Sequence, residues 1–209
     1  MWGVHEQRRM SEQRLEAYRK RRDPQKSPEP EGRPRRSGKR PRFVIQEHSA
    51  RTHHFDFRLE VDGVLRSWAV PKGPSTDPRD KRLAVPVEDH PLDYADFEGV
   101  IPAGQYGAGA VVVWDRGSYD NLTLRDGTPQ PVEQALRDGH LLVGLHGEKL
   151  TGGYALQRVA TGKDERWLLI KLKDEGADAR RRPAASQPRS VLSGRTVADL
   201  EQEAERADG

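Results

Sequence analysis

The sequence contains no cysteine. Disulfides, thiolate zinc sites and cysteine nucleophiles are excluded, and the absence fits a reducing compartment. Aromatic residues make up only 6%, and hydrophobic residues as a whole 33%, below the usual share for a globular domain. Over 209 residues that shortfall predicts that part of the chain is disordered. No apolar run approaches the ~20 residues needed to cross a bilayer. The charged N-terminus lacks the apolar core of a signal peptide. A cytoplasmic protein with no membrane partner is therefore expected.

Charge is abundant and unevenly placed. The formal net charge is only +3, yet residues 1–42 hold 14 Lys/Arg against 6 Asp/Glu, while the remainder holds 22 against 27. A basic arm on a mildly acidic body suits a polyanionic partner. The plain alternative is a solvated tail that only aids solubility.

Hydrophobic spacing predicts a helix over residues 6–22, with Met10, Leu15 and Tyr18 as its few apolar positions. Pro24 ends it. Pro24, Pro28, Pro30, Pro34 and Pro41 then punctuate an extended arm. Residues 1–42 are thus read as a basic helix and arm, 43–173 as the folded body, and 174–209 as a low-complexity, disordered tail with a short helix capped by Thr196. The body is mostly β. Strands are expected at 43–46, His54–Val61, Val64–Val70, 82–87, 110–114, 139–145, 153–159 and 167–173, with a short helix at 131–138. Asp62-Gly63 is a strong hairpin signal, while Asp115-Arg116-Gly117, Asp126-Gly127 and Gly152-Gly153 are further expected turns. Many short, evenly spaced strands suggest a compact β-barrel with a few flanking short helices, and a polar interior face that forms a pocket.

The chemistry concentrates at His54–Val61. Strand side chains alternate between faces, so Phe55, Phe57, Leu59 and Val61 form one face and His54, Asp56, Arg58 and Glu60 the other. Ionisable groups in a row need partners, because burying charge is costly. A cation held by His and Asp, beside an anion held by Arg, satisfies them together. His48 completes a His-x5-His-x-Asp pattern, and this mixed nitrogen and oxygen set suits manganese, iron or zinc. For any one histidine a structural role is commoner; it is the triple that favours a metal. His53 points the other way on a regular strand and is not expected to be a ligand. The two-residue turn sets Arg58 opposite Ser67 and Asp56 opposite Ala69, small residues that leave room for a ligand. Lys72 follows the return strand. Arg82, Glu88 and His90 share one parity on the next strand and are expected to look into the same pocket. The Gly-rich segment 98–109 lacks the Gly-Lys-Ser/Thr of a phosphate-binding loop and is read as structural.

Several ordered motifs carry a family resemblance. Gln46-Glu47-His48, His54-Phe55-Asp56-Phe57-Arg58-Leu59-Glu60, Ser67-Trp68-Ala69-Val70-Pro71-Lys72-Gly73, Val87-Glu88-Asp89-His90-Pro91-Leu92-Asp93-Tyr94 and Phe97-Glu98-Gly99-Val100-Ile101-Pro102 closely resemble the 3′-phosphoesterase domain of bacterial DNA ligase D, over about residues 18–173. The resemblance implies a stand-alone, manganese-dependent hydrolase, with cobalt or zinc as alternative ions. It would remove 3′-phosphates and 3′-ribonucleosides at DNA primer-template ends during end-joining repair. The implied setting is a prokaryotic nucleoid, with an end-joining ligase or polymerase and end-binding proteins as partners. By motif, His48, His54 and Asp56 are implied as metal ligands. Arg58 and His90 are implied on the scissile phosphate, Lys72 and Arg82 as phosphate-neutralising groups, and Glu88 and Tyr94 as supporting groups. Arg22, Asp23 and Glu29 match residues that the family uses on ribonucleosides, so part of the arm is expected to fold over the site. Pro24 and Ser27 stand where the family has an aromatic residue and a threonine.

Two rival readings are open. His54, Asp56 and a distal His90 imitate the triad of a non-haem iron oxygenase. A non-catalytic DNA-end-binding adaptor would need only the basic arm.

Overall fold

The computed structural model describes residues 4–33, 38 and 40–207. Helices α1 (Val4–Arg14) and α2 (Glu16–Lys20) precede strands β1 (Arg42–Ser49), β2 (His54–Val61), β3 (Val64–Val70) and β4 (Lys81–His90). A 3-10 turn over Leu92–Asp96 leads into β5 (Gly99–Ile101) and β6 (Gly109–Asn121). A small hairpin, β7 (Leu124–Arg125) and β8 (Thr128–Pro129), precedes helix α3 (Val132–Asp138). Strands β9 (His140–Gly147), β10 (Thr151–Ala160) and β11 (Arg166–Lys171) complete the sheet, and α4 (Pro183–Ser186) and α5 (Val197–Ala207) follow.

Eight antiparallel strands close in the order β1-β2-β3-β4-β11-β10-β9-β6, with β6 pairing back onto β1. The β2–β3 turn is the expected two-residue hairpin. Asp62 and Gly63 both have positive φ, 48° and 82°, as a type I′ turn requires. The register follows: Asp56 opposes Ala69, Phe57 opposes Trp68 and Arg58 opposes Ser67.

The barrel interior is apolar. Phe43, Ile45, Phe55, Phe57, Leu59, Trp68, Ala84, Trp114, Leu141, Leu156, Trp167 and Leu169 are buried in one cluster drawn from all eight barrel strands. The expected polar interior pocket is therefore corrected: the apolar face of β2 points in and its ionisable face points out. A second apolar cluster covers that outer face, joining Val44, Leu65, Val111 and Val113 to Tyr18, Leu92, Tyr94, Phe97 and Ile101. Alternation had separated the two faces correctly, but it could not tell which one the closed sheet encloses.

Four other expectations change. The helix over 6–22 is divided at Leu15, which is buried with Tyr18 while Met10 is 38% exposed. The arm is not extended over residues 23–33. Its chain turns at Asp23–Ser27, and Tyr18 Oη and the Arg19 guanidinium donate to the carbonyls of Pro30 and Gly32; Pro34 lies outside the described residues. Asp115-Arg116-Gly117 and Gly152-Gly153 are strand, not turn. The Asp115 carboxylate accepts from the amides of Glu148, Lys149 and Leu150, so it organises the β9–β10 turn instead of its own. A Cβ on Gly117 would lie 1.9 Å from the His146 carbonyl oxygen, so that glycine serves a close strand approach.

The tail is the fourth. Expected to be disordered, it packs against the barrel from Asp174 to Ala207. Trp114 Nε1 and Lys149 Nζ both donate to the Gln187 carbonyl, and Leu200 is buried on Ala110 and Val112. Its composition is polar because the barrel supplies most of the apolar partners. Thr196 and Asp199 form a reciprocal capping box at the start of α5. Among the described residues no helix is long and apolar enough to cross a membrane.

Candidate active site

His48 and His54 oppose each other directly on the β1–β2 ladder, and Asp56 follows two residues along β2. One potential ligand atom from each lies within 4.8 Å of the others. His48 Nδ1 and His54 Nε2 are 3.7 Å and 3.5 Å from Asp56 Oδ2. Each imidazole uses its other nitrogen on the backbone: His48 Nε2–H donates to the Gly107 carbonyl and His54 Nδ1–H to the Thr52 carbonyl, both at 2.8 Å. Those bonds select the tautomers that turn two lone pairs towards the carboxylate. Two imidazole nitrogens and a carboxylate oxygen around one point fit a first-row divalent cation. Among the described residues this is the group of three that could hold one. His53 stands apart, bonded to Glu47 Oε1 at 2.8 Å.

Arg58 adjoins the triad and is almost fully partnered. Its Nε donates to Gln46 Oε1 and NH1 to Ser67 Oγ, while NH2 sits 3.1 Å from Asp56 Oδ2. The space expected opposite Arg58 is taken up by its own bond to Ser67. Burial alone would raise the Asp56 pKa, but chiefly the charge of Arg58, with the two imidazoles beside it, holds it well below the ordinary value. Burial opposes charge on His54, and Asp56 outweighs it, so that pKa is raised.

His90 lies away from the triad, between two guanidiniums. Its Nδ1 is 3.0 Å from Arg58 NH1 and 2.8 Å from the Glu88 carbonyl, and its Nε2 is 3.3 Å from Arg22 NH2. Burial, then Arg58 and Arg22, push its pKa well below 6.5, so the ring is neutral. Tyr94 packs edge-on against it with centroids 4.6 Å apart. Burial raises the Tyr94 pKa, and its hydroxyl donates to Glu29 Oε1.

The N-terminal segment closes over this group. Arg22 donates to Glu29 Oε1 and Glu88 Oε1 at 2.8 Å and 3.0 Å, and its guanidinium carbon lies 3.8 Å from the Tyr18 ring centroid. Arg22 and Glu29 thus meet Glu88, His90 and Tyr94. Asp23 does not; it holds the turn by accepting the Gln25 amide and pairs with Lys26. Beside them opens a cleft of about 420 Å³ lined by Tyr18, Arg22, Asp23, Ser27 and Glu29.

Lys72 is exposed in the turn after β3, at the barrel end where β2 begins with His54. Arg82 departs from expectation. The β3–β4 register shifts between Leu65 and Ser67, pairing Ser67 with Val87 but Leu65 with His90. This bulge reverses the parity, so His90 faces outward while Arg82, paired with the buried Leu169, faces inward. Arg82 NH2 donates to Asp80 and its Nε is buried without a partner.

A model of the DNA ligase D 3′-phosphoesterase domain matches residues 46–158. The chain belongs to this family. It is 50% identical over 188 residues to the multifunctional non-homologous end joining protein LigD of Pseudomonas aeruginosa, covering 88% of this chain and 22% of that protein. It is 47% and 45% identical over 164 residues to the LigD proteins of Mycobacterium tuberculosis and Mycolicibacterium smegmatis, covering 78% of this chain and 20% and 21% of theirs. The chain spans about a fifth of the length of these relatives.

Within this phosphoesterase domain several contributors escaped the sequence reading. Gln46 orients Arg58 and anchors to the carbonyls of Tyr94 and Phe97; it shares strand parity with His48, a signal available in advance. Gly107, in the Gly-rich segment read as purely structural, holds His48. Ser27 retains the hydroxyl of the family's threonine, and donates it to Glu29 Oε2 at 2.8 Å.

Proposed function

We propose that this phosphoesterase domain hydrolyses phosphate esters at the 3′ ends of DNA strand breaks, with manganese as its working ion. The convergence of His48 Nδ1, His54 Nε2 and Asp56 Oδ2 beside the guanidinium of Arg58 carries this reading. A divalent ion held there would polarise a phosphate oxygen and acidify a water. The chain's own part is positioning and charge, which phosphoryl transfer chiefly demands. Arg58, clamped by Gln46 and Ser67, supplies a fixed positive charge beside the phosphate at little entropic cost. Lys72 supplies charge from the open rim. Arg82, with its unpartnered Nε, adds charge from the barrel mouth. Neutral His90 serves as a hydrogen-bonding group for the phosphate or leaving oxygen, and not as a cationic acid. Glu88 and Tyr94 keep Arg22 and His90 in place.

Removal of 3′-ribonucleosides is assigned to the same centre, with Arg22, Asp23 and Glu29 lining the cleft beside it. DNA end-joining proteins are the proposed partners and the prokaryotic cytoplasm the proposed setting. The oxygenase triad of His54, Asp56 and His90 does not assemble, since His90 contacts arginines, and the guanidinium beside His48, His54 and Asp56 favours an anionic substrate over a neutral one. The deciding experiment incubates the protein with a 3′-phosphate primer-template and with a 3′-ribonucleotide one, each with and without manganese. Metal-dependent release from both supports the proposal; no release from either with the ion present refutes it.

A further inference from the structure

The segment joining β5 to β6 is bound to the site at two points. The Gly107 carbonyl holds His48 Nε2 at 2.8 Å. The preceding residue, Tyr106, accepts a hydrogen bond from Arg21 NH1 at 2.8 Å, and its hydroxyl lies 3.5 Å from Glu88 Oε2. The guanidinium carbons of Arg21 and Arg22 lie 4.9 Å and 5.5 Å from the Tyr106 ring centroid. The ring is thus fixed between a metal ligand's support and the Arg22–Glu88–His90 group. Nevertheless it is 47% exposed. Folding gains little from holding a large aromatic in one orientation while leaving half of it in water. A ring so held at the rim of a phosphate site, flanked by cations, matches the requirements for stacking a nucleobase.

We propose that Tyr106 is the stacking platform for the 3′-terminal nucleoside, setting the enzyme's preference for ends that carry a base. This rests on the phosphoesterase reading and adds the group that recognises the nucleoside. Stacking is indifferent to base identity, because every base offers a π-face, so the preference should be for a base over none and not for one base over another.

Two measurements test it. The first is steady-state kinetics on 3′-phosphate ends with a normal or an abasic terminal nucleotide, for wild type, Tyr106→Ala and Tyr106→Phe. Tyr106→Ala should raise KM on the normal end roughly 5- to 100-fold with little change in kcat. It should add no further loss on the abasic end. Tyr106→Phe, which keeps the ring and loses the hydroxyl, should stay near wild type. Equal discrimination against the abasic end by wild type and Tyr106→Ala overturns the proposal. So does a Tyr106→Phe defect as large as that of alanine, which would assign the effect to the Arg21–Tyr106–Glu88 clasp. The second measurement is independent of turnover: quenching of a terminal 2-aminopurine on binding to the metal-free protein. Quenching lost in Tyr106→Ala and kept in Tyr106→Phe supports stacking even if wild type hydrolyses nothing. Quenching unchanged by Tyr106→Ala refutes it even if hydrolysis is brisk.

Discussion

At the scale of single residues, one carboxylate oxygen organises the site. Asp56 Oδ2 faces His48, His54 and Arg58 together, so its charge rather than its shape is decisive. Asp56→Asn keeps the volume and removes the charge. It should abolish manganese binding by titration calorimetry and reduce hydrolysis by at least about 1,000-fold, on the scale of lost electrostatic stabilisation. Retained binding would dismiss the triad as the metal site. His90 makes a prediction about pH. Its pKa is held well below 6.5 in the folded protein, so below that value the unfolded chain takes up a proton that the folded one refuses. Stability therefore falls as pH drops beneath 6.5, by about 1 kcal/mol over the first unit. Above 6.5 the raised His54 pKa works in the opposite sense, losing stability as pH rises. Denaturant midpoints of the metal-free protein at pH 6.5 and 5.5 should show the drop, and His90→Asn should remove it. A midpoint that is flat over this range would mean that the ring is protonated in place. The triad was legible in the sequence because a two-residue period fixes faces without any knowledge of the fold. The position of Arg82 was not, because a bulge inserted between two strands reverses parity without any mark in the local pattern.

At the scale of elements, the hairpin and the arm differ in what the sequence could reveal. Asp62-Gly63 dictated both turn and register because the turn chemistry is local. The arm's path depends on Glu88, Tyr94 and His90, each more than sixty residues away, and no local rule reaches that far; only the family resemblance led to the expectation of a fold over the site. Arg22 is the clasp. Its guanidinium satisfies the buried Glu29 and shares Glu88 with Arg21. Arg22→Ala leaves the Glu29 carboxylate buried without its counter-charge, a loss of ~3–5 kcal/mol. That exceeds what a short arm gains from packing, so the arm should detach while the barrel stays intact. Hydrogen exchange should then show amides 18–33 losing protection and those of β2 and β3 keeping theirs. Uniform loss would mean that the arm and barrel unfold as one unit.

For the whole molecule, the apolar interior and the polar exterior have different tasks, and the C-terminal segment connects them. The interior cluster closes the barrel but leaves the end of the inward face of β1 and β6, where Ala110 and Val112 pair with Ser49 and Glu47, to be covered by something else. Residues from Asp174 onward cover part of it. Lys149, its ammonium 4.5 Å from the Trp114 ring centroid, is bound to the carbonyls of Gln187 and Arg189, and half-buried Glu98 takes hydrogen bonds from Ser190 Oγ and the Val113 amide. Helix α5 reaches back to the barrel end that carries the His48–His54–Asp56 triad, where Ser49 Oγ, next to His48, donates to Glu201 Oε1 at 2.5 Å. Low apolar content concealed this role, since a segment that lies on another's hydrophobic surface needs few apolar residues of its own. Ending the chain at residue 173 would expose Ala110 and Val112 and leave the buried Trp114 indole N–H without an acceptor. Loss of Leu200's burial and of that hydrogen bond together should cost at least about 3 kcal/mol, or roughly 6–12 °C in Tm for a chain of this size. Because Ser49 adjoins the proposed ligand His48, manganese affinity should weaken in the truncated protein while Glu201→Gln, which can still accept the bond, leaves it near wild type. A truncated protein with unchanged Tm and manganese affinity would reduce the segment to a passive tail and confine the working structure to the barrel and its N-terminal clasp.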